Sequence, residues 1–122
     1  MTLSMVAKKR LKRLHTKLCD ELGIPSVPHL KFSRVFYQCV EKMGEISYYD
    51  HKITINPTVS YRDARLTVAH ETYHWYQYQT GLIDGQVYKG SPKNLWKQKG
   101  PWSTWPWERA ANRFADKRFR RK

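Results

Sequence analysis

His70-Glu71-Thr72-Tyr73-His74 sets two imidazoles four residues apart, with a carboxylate directly after the first. On an α-helix each residue advances about 100°, so His70 and His74 project from nearly one face, one turn apart, and can converge on a single ion. Glu71 lies off that face, where its carboxylate meets a metal-activated water rather than the metal. The chemistry such a trio supports is hydrolysis, with two metal ligands and a general base. The flanks suit a buried helix: from Ala64 to Gly81 only Arg65 and Glu71 carry a full charge at neutral pH, and no proline interrupts. The competing reading is a core helix with two incidental histidines, and a third ligand decides between them.

A catalytic zinc usually takes three protein ligands and leaves a fourth position for water. No histidine follows His74, both cysteines precede it, and the later acids are Asp84, Glu108 and Asp116. Glu108 stands out, because it follows Trp105-Pro106-Trp107 and opens the run Glu108-Arg109-Ala110-Ala111-Asn112-Arg113-Phe114-Ala115, with Pro106 suited to a first helical turn. Ala111 and Ala115 share the side of Glu108, and small side chains there let this helix approach the first closely. Asn112, one turn on, could reach the second nitrogen of a ligand.

The two motifs together, His70-Glu71-x-x-His74 and Glu108-x-x-Ala111-Asn112-x-Phe114-Ala115, resemble the gluzincin metallopeptidases, and most closely their small ImmA/IrrE-like and minigluzincin branch. The resemblance runs from about Leu30 to Ala115. It implies zinc held by His70, His74 and Glu108, with Glu71 as base and proton shuttle. It also implies a small antiparallel sheet before the metal-binding helix, one edge strand of which binds the substrate backbone by strand addition. The segment between the motifs, rich in Trp, Lys and Gly, and the basic ends depart from the family pattern.

The elements that must position these residues follow from the rest of the chain. At 122 residues it suits one domain, expected as a compact α+β unit with a single site. From Thr2 to Leu22, apolar Leu3, Val6, Ala7, Leu11, Leu14, Leu18 and Leu22 recur at three- and four-residue steps among Lys8, Lys9, Arg10, Lys12, Arg13 and Lys17. That predicts an amphipathic helix with a basic outer face, ended by Gly23, Pro25 and Pro28. His15 on it and His29 after it are expected at the surface. Leu30 to Val40 reads as a first strand, and Glu45–Tyr49 and Lys52–Asn56 as a hairpin around Asp50-His51, with Ile53 and Ile55 on one face. The resulting sheet is expected to have three antiparallel strands. His51, in the turn, is expected to be solvent-exposed rather than a ligand. Thr58 or Ser60 can cap the metal-binding helix, Asp63 suits its dipole, and Gly81 ends it. Leu82 to Thr104 is then a long loop, and Lys117–Lys122 a basic tail to the C-terminal helix.

Charge and cysteine usage bound the partners. Lys and Arg number 23 against 10 Asp and Glu, a net charge of +13 that favours nucleic acid, anionic surfaces or acidic proteins. Tyr88, Lys89, Lys93, Trp96, Lys97, Lys99 and Trp102 in the loop interleave aromatics with lysines, which can stack bases, cover a cleft or pack as core. Cys19 and Cys39 are read as reduced thiols. No run has the length of a transmembrane span, and the expectation is a cytoplasmic monomer.

The function expected is therefore a zinc metalloendopeptidase of narrow specificity, acting on a protein or peptide substrate. The resemblance makes a DNA-bound regulator or repressor a plausible target. The alternative from another class is a basic nucleic-acid-binding or regulatory protein whose zinc site is structural or vestigial.

Overall fold

The computed structural model describes residues 2–37, 39–80 and 106–119, and within them the chain is an α+β fold of three helices and two small sheets. The first helix, α1 (Met5–Glu21), starts where Ser4 accepts a hydrogen bond from the Ala7 amide at 3.0 Å. It ends at Gly23, whose φ of 70° places it in the left-handed region, while the Gly23 and Ile24 amides donate to the Asp20 and Cys19 carbonyls. Leu11 and Leu18 are fully buried along one stripe, and Lys9, Arg10, Lys12, Arg13 and Lys17 are exposed on the other side.

Five strands follow: β1 (His29–Phe32), β2 (Val35–Tyr37), β3 (Val40–Lys42), β4 (Gly44–Ser47) and β5 (Lys52–Ile55). The expected single strand from Leu30 to Val40 is broken in two. Its second half leaves the sheet as a separate β2–β3 hairpin, turning at Cys39 with φ 65°. That excursion changes the topology expected for the main sheet. Its order is β1-β5-β4, with β5 antiparallel to β4 but parallel to β1, so the sheet is mixed rather than antiparallel. The β2–β3 hairpin reverses the chain before β4, the β4–β5 turn reverses it again, and β5 inserts beside β1 running the same way. Leu30 pairs with Ile53 and Phe32 with Ile55 across one seam, and Ile46 with Ile53 across the other. As the central strand, β5 buries Ile53, Thr54 and Ile55 in succession.

Asn56 ends β5 and carries the chain into the next helix. Its buried amide donates to Glu41 and to the Lys42 carbonyl, and its Oδ1 accepts from the Thr58 amide and hydroxyl. Thr58 is thereby engaged, and Ser60 is the residue that caps α2 (Tyr61–Gln79), accepting from the Asp63 amide at 3.1 Å. The last helix, α3 (Pro106–Phe119), begins at Pro106 as expected, where a missing amide costs nothing. It packs on α2 through Ala111 and Ala115, both buried.

One core joins Leu11 and Leu18 of α1, Leu30, Ile53 and Ile55 of the sheet, Val68 and Ala69 of α2, and Ala115 of α3. Each fully buried leucine or isoleucine contributes roughly 1.5–3 kcal/mol of transfer free energy. A second cluster sets Trp75 against Cys19, Ile24, Tyr48 and Tyr78. Cys19 is buried and Cys39 exposed, both as free thiols. Burial pushes the Cys19 thiol up to about 11. No described helix is long and apolar enough to cross a membrane. The expected helix end at Gly81, the loop from Leu82 to Thr104 and the tail beyond Phe119 lie outside the described residues.

Candidate metal centre

Helix α2 is buried on most of its circumference, with Ala64, Val68, Ala69, Thr72 and Trp75 inaccessible to solvent. A helix so enclosed holds its side chains in fixed rotamers. His70 and His74 come together as the helical spacing requires, ring centroids 4.6 Å apart and nearly perpendicular, with their Nε2 atoms 3.1 Å apart. Glu108, one residue from the first turn's Trp107 on α3, is brought against both: its Oε2 lies 2.8 Å from His74 Nε2 and 3.3 Å from His70 Nε2. Glu71 Oε1 stands farther out, 3.7 Å from His70 Nε2.

The protonation pattern can be worked out from its far end. Gln77, fully buried one turn after His74, donates from its amide nitrogen to the Trp107 carbonyl at 3.1 Å. Its Oε1 therefore faces His74 Nδ1, 2.8 Å away, and can only accept, so Nδ1 carries a proton. In the neutral ring, Nε2 then presents a lone pair to the Glu108 carboxylate, and that contact requires a cation between the two groups. A proton on His74 Nε2, with His70 donating from its own Nε2–H, would satisfy both contacts to Glu108 but leave the two Nε2 atoms facing each other. A metal ion would satisfy all three short contacts. Two donors each about 2.1 Å from a tetrahedral ion stand about 3.4 Å apart, so the observed 3.1 and 3.3 Å lie within a few tenths of that and the 2.8 Å between His74 and Glu108 would open by about 0.6 Å. His70, Glu71 and His74 alone also present donor atoms within 4.8 Å of one another, so the group could hold a metal ion.

Exposure separates the four side chains. The side chains of His70 and Glu71 keep 19% and 10% of their surface, against 6% and 2% for His74 and Glu108. His70 is therefore the most open of the four, while Glu71, His74 and Glu108 are buried. Burial lifts the Glu71 carboxyl above the ordinary carboxylate range, with the His74 and His70 rings opposing it. Burial acts the same way on Glu108, but hydrogen bonds and charge from His70 and His74 outweigh it and hold that carboxyl low.

Three residues near the site escape a reading of motifs. Gln77 replaces Asn112 as the partner of a ligand's second nitrogen; Asn112 is exposed. The signal for Gln77 was its place three residues after His74, where side chains on a helix meet. Tyr48, directly after β4, lies against Tyr78 with ring centroids 4.8 Å apart and planes tilted by 32°. Burial, reinforced by the negative carboxylates of Glu71 and Glu108, holds its phenol protonated. No local pattern marks it, because the β4–β5 turn brings it there. His15 was expected at the surface and is instead buried, at 3.0 Å from both Thr72 Oγ1 and the Pro28 carbonyl. It continues the stripe of Leu11 and Leu18, which was visible in the spacing. His29 and His51 are exposed as expected, His51 lying beside Trp75 at 5.2 Å between centroids.

No protein-family model, curated protein or solved structure matches the chain.

Proposed function

We propose that this chain is a zinc metallopeptidase of narrow specificity that hydrolyses peptide bonds, with His70, His74 and Glu108 as ligands and Glu71 as general base. The observation that supports it is the convergence of two Nε2 atoms and one carboxylate oxygen, at 2.8 to 3.3 Å from one another, with the His74 tautomer set by Gln77. Two imidazoles and a carboxylate are a common zinc set, although nickel, cobalt or manganese also accept it. Bound there, zinc would supply Lewis acidity, polarising the scissile carbonyl and acidifying the attacking water.

The chain's own residues do the rest. Glu71 takes the proton of the water at its carboxylate and gives it to the leaving amine. Tyr48, kept protonated near the two carboxylates, can donate its hydroxyl to the oxygen that gains charge. Strand β4 packs on α2 and, among the described residues, pairs with β5 alone, so its outer edge can take an extended substrate by strand addition. Incubation of the zinc-loaded protein with unfolded protein substrates, beside Glu71→Gln, tests the reading. Hydrolysis is expected in the wild type and none in Glu71→Gln, with zinc retained in both. Equal hydrolysis by the two would remove Glu71 from the mechanism.

A further inference from the structure

A groove of about 740 Å³ lies on the far side of α1, between that helix and the segment of residues 24–27. Its rim is basic and its wall aliphatic. Lys12, Arg13 and Lys17 are exposed along one side, Arg13 and Lys17 one helical turn apart, while Ile24, Pro25 and Val27 form the other. Among the described residues, none of the three cations has an ion-pair partner. Val27 is 48% exposed, so an apolar side chain stands open beside three uncompensated charges. A solvated basic face needs no such wall.

We propose that this groove is a docking site for an acidic peptide segment that carries aliphatic side chains. Carboxylates of the segment pair with Lys12, Arg13 and Lys17, and its aliphatic groups cover Val27 and Pro25 over the buried Ile24. A second copy of this chain is disfavoured as occupant, because each carries +13. Nucleic acid answers the charge but not the wall: a hydrated phosphodiester gains nothing from Val27, and among the described residues the groove's lining holds no aromatic ring on which a base could stack. Asp20, the one acid among the described lining residues, marks the end at which the segment must lack a carboxylate. The groove shares no lining residue with the metal centre. Were the proposed hydrolysis also true, it would select substrates by a feature remote from the scissile bond.

Fluorescence anisotropy with three labelled probes tests the proposal: a peptide alternating glutamate with leucine, one alternating glutamate with glycine, and a single-stranded oligonucleotide. Wild type is compared with Lys12→Gln/Arg13→Gln/Lys17→Gln and with Val27→Ser, which leaves the charge unchanged. All substitutions lie at exposed positions, and circular dichroism and zinc content should match the wild type. The glutamate–leucine peptide is expected to bind at least tenfold more tightly than the glycine peptide, and each variant to lose about tenfold. Equal binding of the two peptides, indifference to Val27→Ser, or a preference for the oligonucleotide would each overturn the proposal in favour of general attraction to anions.

Discussion

Gln77 and His74 share a buried hydrogen bond of 2.8 Å in which the glutamine oxygen accepts from Nδ1, while the same amide donates to the Trp107 carbonyl at 3.1 Å. One side chain thus fixes a ring's tautomer and fastens α2 to the turn of α3 that carries Glu108. Fixing the second nitrogen of a ligand histidine both orients the ring and strengthens it as a donor.

Gln77→Leu should therefore weaken metal affinity by about 10–100-fold, the usual effect of losing such a partner. It should also lower stability by about 1–3 kcal/mol, since the His74 Nδ1–H loses its acceptor in a buried setting. Competition against a chromophoric chelator measures the first and denaturant unfolding the second. Unchanged affinity would show that the ring is held by packing alone.

Gly44 of β4 lies tight against Thr67 of α2. A Cβ there would lie 2.6 Å from Thr67 Cγ2 and 2.9 Å from the Thr54 carbonyl, too close to the backbone for a side chain to yield. Gly44→Ala should force the strand outward and cost about 1–3 kcal/mol, typical of overpacking. The denaturant midpoint reports it, and a change within experimental error would mean that β4 slides freely on the helix.

His15 gives the fold a sensitivity to acid. Burial pulls its pKa below 6.5, with the Pro28 carbonyl opposing. The unfolded chain thus binds a proton that the folded chain resists, so the contribution is complete above about 6.5 and shrinks as the pH falls below that value. The melting temperature should drop through this window, and His15→Gln should remove that component while costing about 1–3 kcal/mol for the broken contacts to Thr72 and Pro28. Titration of the His15 ring by NMR checks the sign directly; a midpoint above 6.5 would reverse it.

What could be read from residues alone divides by range. The spacing of His70 and His74, the proline opening α3 and the small face of Ala111 and Ala115 are local features, and each stands where the sequence places it; of the two candidate caps, Thr58 and Ser60, the helix uses Ser60. Strand direction is not local. Nothing in Leu30–Phe32 says whether its partner runs parallel, and the answer came from the β2–β3 hairpin that turns the chain before β4. Tyr48 is likewise carried toward Glu71 and Glu108 by the β4–β5 turn rather than marked by a local pattern. His15 was misread despite a usable signal, because a histidine on an apolar stripe is buried whenever its two nitrogens find partners, as Thr72 and Pro28 provide.

The claim that most depends on geometry is that Glu108 completes a metal site with His70 and His74. Elemental analysis of purified wild type and Glu108→Ala, each loaded with zinc and dialysed, tests it most directly, with circular dichroism to establish that both are folded. About one zinc per chain in the wild type and little in Glu108→Ala is the predicted result. A folded wild type without metal, or a Glu108→Ala protein that keeps its full complement, would contradict it.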